Sequence, residues 1–509
     1  MRKSRKDSRY SGGREQRLHT RLKMPKPNPC PPGQRGGAFS PLNDGDIQLI
    51  ITSSLYLLEN LGMGNVPKKF AEQAIRRGAF MNDKKRLCFP PALIEDIIAN
   101  ACKKFTFFGR NEKYHLQIGV DKTYFGTGGA AVQVLDLGSN NYRNSTLQDL
   151  YDFTRLSDYL TNISWFTRCC VATDINDLCD LDFLTAYALF KGTEKPVGTS
   201  FSYPQHVDVV MDMVNYSMGD GNFQKTPCMK AHISPIVSPM RYGEDAILVS
   251  EACIRHSIPL NVIIAAQAGA TAPAPLAAML TQTTAETLAA LAMVDILSPG
   301  YPLIFSNWPF VLDLRTGSFS GGGGEIALLN AGAAQISNHL GLISGISACM
   351  SDAKSPNNQM GVEKAITALT AGLAGGNMVY EAAGMTAALL GASFQSFVLD
   401  DEMLSHVYRI MRGIEVSSDN IDLDRIEKAI LGEGHFLGGA QTLESMQRDY
   451  FYPEIADRTS PAMWEQLGSV DVKELARMKV VEIFEKHRPN YLGDKDADIR
   501  RKMKNPPSF

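Results

Sequence analysis

Four polar residues stand where short apolar runs give way to turns. His232 lies at the end of the run 228–233, Glu381 follows Met378-Val-Tyr, and Asp352 and Lys354 share the stretch Ser351-Asp-Ala-Lys-Ser-Pro. An imidazole titrating near neutrality and a pair of carboxyl groups are the usual means of moving a proton at a reacting centre. His232, Asp352 and Glu381 are therefore the candidate catalytic residues, although a lone histidine serves as readily as a hydrogen-bonded wall. Lys354 could act as a Schiff-base lysine in a site that lowers its basicity.

Aromatic side chains recur at the same kind of position. Tyr124, Phe125, Phe201, Tyr203, Trp308, Phe310 and Tyr380 are the candidate walls of a substrate pocket, with Gln267 and Lys354 as polar contacts. A quaternary ammonium has no hydrogen bond to donate, so proteins hold it against aromatic faces. Few charged groups accompany these rings, which suits a cationic or amphipathic small molecule better than a phosphate or a metal. The plain alternative for any one ring is packing.

The densest glycine cluster is Gly321, Gly322, Gly323 and Gly324, after Ser318-Phe-Ser and before Glu325. Such a turn can cradle an anion at a helix N-terminus. It lacks the Lys-Ser/Thr of a P-loop, and Glu325 would repel the anion. Gly321, Gly322 and Gly323 are read instead as an open loop over which a large partner bearing a cofactor approaches. No metal site is expected. The histidines lack i,i+2 or i,i+4 pairs, and the nine cysteines form no C-x-x-C. They read as reduced thiols of a cytoplasmic protein.

The elements that must position these residues follow a rhythm. Apolar runs at 165–171, 196–201, 228–233, 260–267, 303–307, 341–346, 377–381 and 394–399 act as strands. Helical segments follow near 177–190, 205–218, 242–256, 276–294, 324–338, 359–373, 383–391 and 400–412. Eight strand–helix units in this length predict an α/β fold, a (β/α)8 TIM barrel. In that fold the active site lies at the C-terminal ends of the strands, where the candidate residues stand.

The expected organisation is a basic arm (1–37), N-terminal helices and a hairpin (38–160), the barrel (161–414) and a C-terminal helical extension (415–509). The hairpin encloses Thr123-Tyr-Phe-Gly-Thr-Gly-Gly. The last twenty or so residues, charged, are expected to be peripheral.

The chain has 509 residues, 51 Lys+Arg against 54 Asp+Glu, and is 44% hydrophobic. That excludes a wholly disordered or fibrous chain. No run approaches the roughly 20 apolar residues of a membrane span. The charge is uneven, because residues 1–37 hold eleven Lys/Arg and two acids. A nucleic-acid role for this arm is disfavoured, since Tyr10 is its only interleaved aromatic; packing on an acidic surface of a homo-oligomer fits better.

Several motifs resemble the trimethylamine methyltransferase family. They are Tyr124-Phe-Gly-Thr-Gly-Gly, Ser351-Asp-Ala-Lys-Ser-Pro-Asn-Asn-Gln-Met-Gly-Val-Glu-Lys, Ala374-Gly-Gly-Asn-Met-Val-Tyr, Met411-Arg-Gly-Ile-Glu-Val and Gly432-Glu-Gly-His-Phe-Leu-Gly-Gly-Ala-Gln-Thr-Leu. The resemblance spans nearly the whole chain. It implies a (β/α)8 barrel that moves a methyl group from a methylated amine to the Co(I) corrinoid (cobalamin) of a separate small protein. Trimethylamine-specific members carry pyrrolysine near the sixth barrel strand, around residues 348–354 here. This chain has only standard residues there, so it resembles the glycine-betaine-type members.

The physical argument agrees with that subclass, because a quaternary ammonium already has a neutral amine as its leaving group and needs no covalent activation. Desolvation and alignment suffice. Lys354, His232 and Gln267 are the nominees to meet a betaine's carboxylate. The alternatives are a folate methyl acceptor on the same fold, or a Schiff-base lyase or aldolase built on Lys354.

Overall fold

The structure is a computed structural model that describes residue 28 and residues 30–509 apart from 120 and 438. Most of the arm, residues 1–27, lies outside the described residues. The fold is mixed α/β, built on a curled nine-stranded sheet. Eight of its strands run parallel: β1 (Lys122–Phe125), β2 (Phe166–Thr167), β3 (Val197–Thr199), β4 (Met229–Ile233), β5 (Leu260–Ile264), β6 (Leu303–Asn307), β7 (Ser344–Ser347) and β8 (Met378–Tyr380). The ninth, Gln34–Arg35, pairs antiparallel with the start of β1.

The strands β2 to β8 neighbour one another in chain order, and β8 then pairs with β1. Between the two flanks of the sheet, the Ser164 N–H donates to Phe125 O (2.7 Å) and the Thr127 N–H to Trp165 O (3.3 Å). Strands buried on both faces need apolar or small residues throughout, and Leu260–Ile264 and Leu303–Asn307 are buried at every position.

Two expected elements are corrected. Residues 394–399 are not a strand but the first turns of the helix Phe394–Arg412. Ser393 caps it by accepting from the Ser396 N–H, and Phe394, Phe397 and Val398 recur at helical spacing, Phe394 stacking on Phe153 and Phe397 packing tilted against it. The strand that takes the vacated place is Lys122–Phe125, expected from the sequence to lie in a hairpin before residue 161. Residues 383–391 are likewise not helical. They hold the strand Met385–Thr386 and a turn in which Ala387, Ala388 and Leu389 all have positive φ.

Helices flank the strands. Two of them carry side-chain caps at their N-termini, Asp177 before Leu178–Gly192 and Asn357 before Asn358–Leu373. The long helix Leu276–Leu297 is buried around most of its circumference because the N-terminal helix Asp44–Tyr56 covers its outer side; the Ser54 hydroxyl donates to Thr281 O (2.9 Å). The chain from Gln34 crosses the helix Asn358–Leu373 so closely that Gly36 has no room for a Cβ against Gly375.

The C-terminus departs from the peripheral role expected of it. Phe509 stacks on Tyr151 at 4.3 Å, and the buried Lys191 ammonium pairs with Asp496 (2.8 Å). All nine cysteines are free and seven are buried. Among the described residues no helix is long and apolar enough to cross a membrane.

Candidate active site

The interior of the curled sheet is not purely apolar. On β4, Lys230 and His232 stand two residues apart and so share a face. A Cβ on Gly198 of β3 would point at both, 3.1 Å from Lys230 Nζ and 3.2 Å from His232 Nε2. The Lys230 ammonium donates to Thr167 Oγ1 of β2 (3.2 Å), which in turn lies 3.4 Å from His232 Nε2. Lys230 Nζ also stands 4.9 Å from the ring centre of Phe107 and 5.1 Å from those of Trp165 and Tyr380. Among the described residues no ion pair accompanies it. Burial alone holds its basicity well below that of an ordinary lysine. Burial and then the neighbouring Lys230 and Arg168 charges depress His232 in the same direction, so its imidazole is neutral.

Tyr380, at the end of β8, is the hub of the aromatic side chains. Trp165 approaches at 5.2 Å, and Trp308 and His232 each at 5.3 Å. Among the described residues the indole N–H groups of Trp165 and Trp308 are buried without an acceptor, as is the Asn261 amide nitrogen of β5, whose oxygen accepts from Ser306. Buried donors without partners cost stability, so such a cluster points to a ligand or water.

Glu381 follows Tyr380 in a left-handed conformation (φ 64°). The strand turns out of its alternation there, and the carboxyl lies against Gly128 and Gly129, where a Cβ would come within 3.0 Å of Oε1 and 2.9 Å of Oε2. Its Oε2 is buried without a hydrogen-bond partner among the described residues, and burial pushes the carboxyl up to about 8. Glu381 also bears on the thiols of Cys169 after β2 and Cys349 after β7. Those strands lie on either side of β8 and β1, which places the acid over the strand ends. At neutral pH it carries its proton.

The other residues singled out from the sequence are dispersed. Phe310 and Gln267 belong to a small three-stranded sheet (Gln267–Ala268, Phe310–Asp313, Ser318–Ser320) that follows β5 and β6. Phe310 lies 6.3 Å from Trp308. Tyr203 is half exposed, edge-on to His206 at the start of Pro204–Met218. Phe125 packs on Tyr408 of the helix Phe394–Arg412, and Tyr124 packs under Gly33 rather than in the group around Tyr380.

Asp352 accepts from the Ser320 hydroxyl (2.7 Å) and the Gly321 N–H (2.6 Å). Both of its oxygens thus tie the loop after β7 to the glycine turn. Lys354 is exposed, and its ammonium donates to Asp352 O (2.6 Å). Gly322 lies against Glu363, and Gly323 (φ 115°) precedes the helix Gly324–His339 with Glu325 in its first turn. A turn ringed by Asp352, Glu363 and Glu325, with one N–H already taken, does not fit an anion.

A model of the family described as trimethylamine methyltransferase (MTTB) matches residues 10–505. The chain belongs to the trimethylamine methyltransferase family. It is similar to the trimethylamine methyltransferase MttB of Methanosarcina thermophila, 29% identical over 90% of this chain and 95% of that protein. It is also similar to the glycine betaine methyltransferase of Desulfitobacterium hafniense, 26% identical over 92% of this chain and 97% of that protein. The crystal structure of the monomethylamine methyltransferase MtmB of Methanosarcina barkeri superposes with a TM-score of 0.46 at 16% identity, covering 92% and 97% of the two chains.

Within this family member, the sequence reading named His232, Glu381, Trp308 and Tyr380 but missed Lys230, Trp165 and Thr167. One signal for Lys230 was available. In Met229-Lys-Ala-His-Ile, a lysine interrupts an otherwise buried parallel strand, and it shares the face of His232.

Proposed function

We propose that the protein transfers a methyl group from a betaine-type quaternary amine to the Co(I) corrinoid of a separate partner protein. We further propose that the curled sheet is a closed (β/α)8 barrel running from β1 to the helix Phe394–Arg412, with the reaction at its strand C-terminal ends. The similarity to both trimethylamine and glycine betaine methyltransferases supports the reaction class. The carrying observation is the group around Tyr380, where three aromatic side chains converge and the adjacent carboxyl is uncharged. Such a wall attracts a cation that cannot donate a hydrogen bond, without fixing it by an ion pair.

The corrinoid supplies the electron pair that takes the methyl group. The residues of this chain do the rest. Trp165, Trp308 and Tyr380 strip water from the ammonium and hold one N–CH3 bond in line. As that bond breaks, its electron pair stays on nitrogen, and the product is a neutral amine that the aromatic wall no longer attracts. No proton moves, so neutral His232 and protonated Glu381 act by hydrogen bonding and local polarity. The unpaired donors of Trp165, Trp308 and Asn261 provide partners for the substrate's acidic end.

Purified protein incubated with Co(I) cobalamin and glycine betaine should convert the cobalamin spectrum to that of the methylated form. Absence of methylation with glycine betaine, carnitine and choline alike sinks the proposal, and methylation of tetrahydrofolate instead identifies a folate acceptor. A Schiff-base mechanism loses its first nominee, because exposed Lys354 bonds to its own loop. Lys230 has the lowered basicity that such chemistry needs, and borohydride trapping with a carbonyl substrate would reveal it.

A further inference from the structure

The inner face of the curled sheet is not made for packing alone. The register sets Thr167 of β2 beside Gly198 of β3, Gly198 beside Lys230 of β4, and His232 beside Asn261 of β5. Ser306 of β6, whose hydroxyl donates to Asn261 Oδ1, stands beside Gly345 of β7, where a Cβ would collide with that hydroxyl. Register partners in parallel strands point to the same face. That face therefore carries glycines and polar side chains at positions where parallel barrels ordinarily place Val, Ile and Leu. Thr167, Lys230, Asn261 and Ser306 are all buried.

Beside Lys230 the open hydrogen-bonding capacity is that of donors. An ammonium has three N–H groups, and Lys230 gives one to Thr167 Oγ1. Among the described residues the Asn261 amide nitrogen on the next strand has no acceptor, nor has the indole N–H of Trp165, whose ring centre lies 5.1 Å from Lys230 Nζ. The ionisable neighbours supply no negative charge. His232 on the same strand is neutral, and Arg168 after β2 adds a positive charge that bears on His232. Asp182, the acid that bears on Arg168, already accepts from Ser202 and meets His206 at 2.7 Å. Tyr380 is un-ionised, and Glu381 beyond it carries its proton at neutral pH. A buried amine left without an acid costs stability, which marks it as a group that serves a ligand.

Resting on the betaine-type reading of this site, we propose that Lys230 selects a zwitterion. Its ammonium and the Asn261 amide hold the substrate's carboxylate while Tyr380 and Trp308 hold the quaternary nitrogen. Tyr380 joins the two halves, with its ring centre 5.1 Å from Lys230 Nζ and 5.3 Å from that of Trp308. The acid must therefore sit only a few atoms from the ammonium, as in an amino-acid betaine. One lysine charge matches one acidic charge, so a monoanion fits and a phosphate dianion does not. Burial keeps the empty site's Lys230 short of its proton. An arriving carboxylate draws that proton from water onto Nζ, and the bound ion pair is neutral as a whole. A cation without an acid, such as choline, leaves Lys230 unpaired and is the poorer substrate.

The test is titration calorimetry of the full-length protein with two ligands. One is tert-butylacetate, which keeps the acid and replaces the ammonium by a neutral group of the same shape; the other is its uncharged amide. Wild type should bind the acid about tenfold or more tightly than the amide. Titrations at pH 7 in two buffers of different ionisation enthalpy should show proton uptake with the acid alone. Lys230→Met should abolish both the preference and the uptake, and Glu381→Gln should keep both. Wild type that binds acid and amide alike, or binds neither, overturns the proposal without any variant. Uptake that persists in Lys230→Met also overturns it and assigns the proton to His232. No corrinoid enters these titrations, so a failure of methyl transfer leaves them standing. Where methyl transfer is seen, Lys230→Met should raise KM for glycine betaine by about tenfold or more and that for choline by less than about threefold. Equal rises overturn the proposal and leave the reaction class intact.

Discussion

Lys230 holds its side-chain nitrogen 5.1 Å from the ring centre of Tyr380, inside the curled sheet, with Thr167 Oγ1 as its hydrogen-bond partner and no carboxylate among the described residues paired to it. A buried amine in that state keeps fewer protons than it does in the unfolded chain. Stability should therefore rise with pH from 7 toward 9, because the unfolded chain binds the extra proton. Lys230→Met should remove this rise and add about 1–3 kcal/mol of stability at pH 7. Urea unfolding of both proteins at the two pH values measures it.

Glu381 has the opposite sign. Its folded carboxyl is raised to about 8 by burial, so between about 4.5 and 8 the unfolded chain gives up a proton that the folded one keeps. Its contribution is fully present below about 4.5 and is lost as pH rises through 8, by at most about 5 kcal/mol. Glu381→Gln should unfold at higher denaturant than wild type at pH 8.5, with the gap narrowing at pH 5.

The same group bears on substrate. A bound cation favours the ionised carboxylate, so the KM of wild type for a quaternary amine should fall between pH 7 and pH 9. In Glu381→Gln the KM should stay flat across that range. A parallel fall in both would remove Glu381 from the pocket.

Trp308 faces Tyr380 at 5.3 Å. Trp308→Leu should raise KM for a quaternary amine by about three- to thirty-fold, the loss of one aromatic face. A neutral analogue of the same shape, scored as a competitive inhibitor, should be weakened less. Equal weakening would assign Trp308 to shape alone.

Gly198 stands where a side chain would collide with Thr167 and press on Lys230 and His232. Gly198→Ala should cost about 1–3 kcal/mol by overpacking and displace the three polar groups together. Thermal unfolding alongside turnover checks it, and a stable, fully active variant would show that the interior has slack.

The alternation of apolar runs and amphipathic segments was legible because strand and helix periods are local properties of the chain. Seven of the eight parallel strands, from β2 to β8, and the helices between them coincide with runs visible in the sequence. Two elements were not. Lys122–Phe125 is four residues long and surrounded by other short strands, so nothing local distinguishes the one that joins the main sheet. Phe394-Gln-Ser-Phe-Val-Leu is apolar enough for a strand, and only the Ser393 cap and the packing on Phe153 commit it to a helix.

For the site, residue types were enough to nominate His232, Glu381, Trp308 and Tyr380, because the end of a parallel strand is marked in the sequence. Which nominees meet depends on curvature and on how a side chain leaves its strand. The positive φ of Glu381 turns its carboxyl over the strand ends, whereas Asp352 and Lys354 are spent on the rim loops. Lys230 lay in plain view as a residue, but its charge state is a property of enclosure. Desolvation by Phe107, Trp165 and Tyr380, brought from three distant stretches of chain, exists only once the sheet has curled.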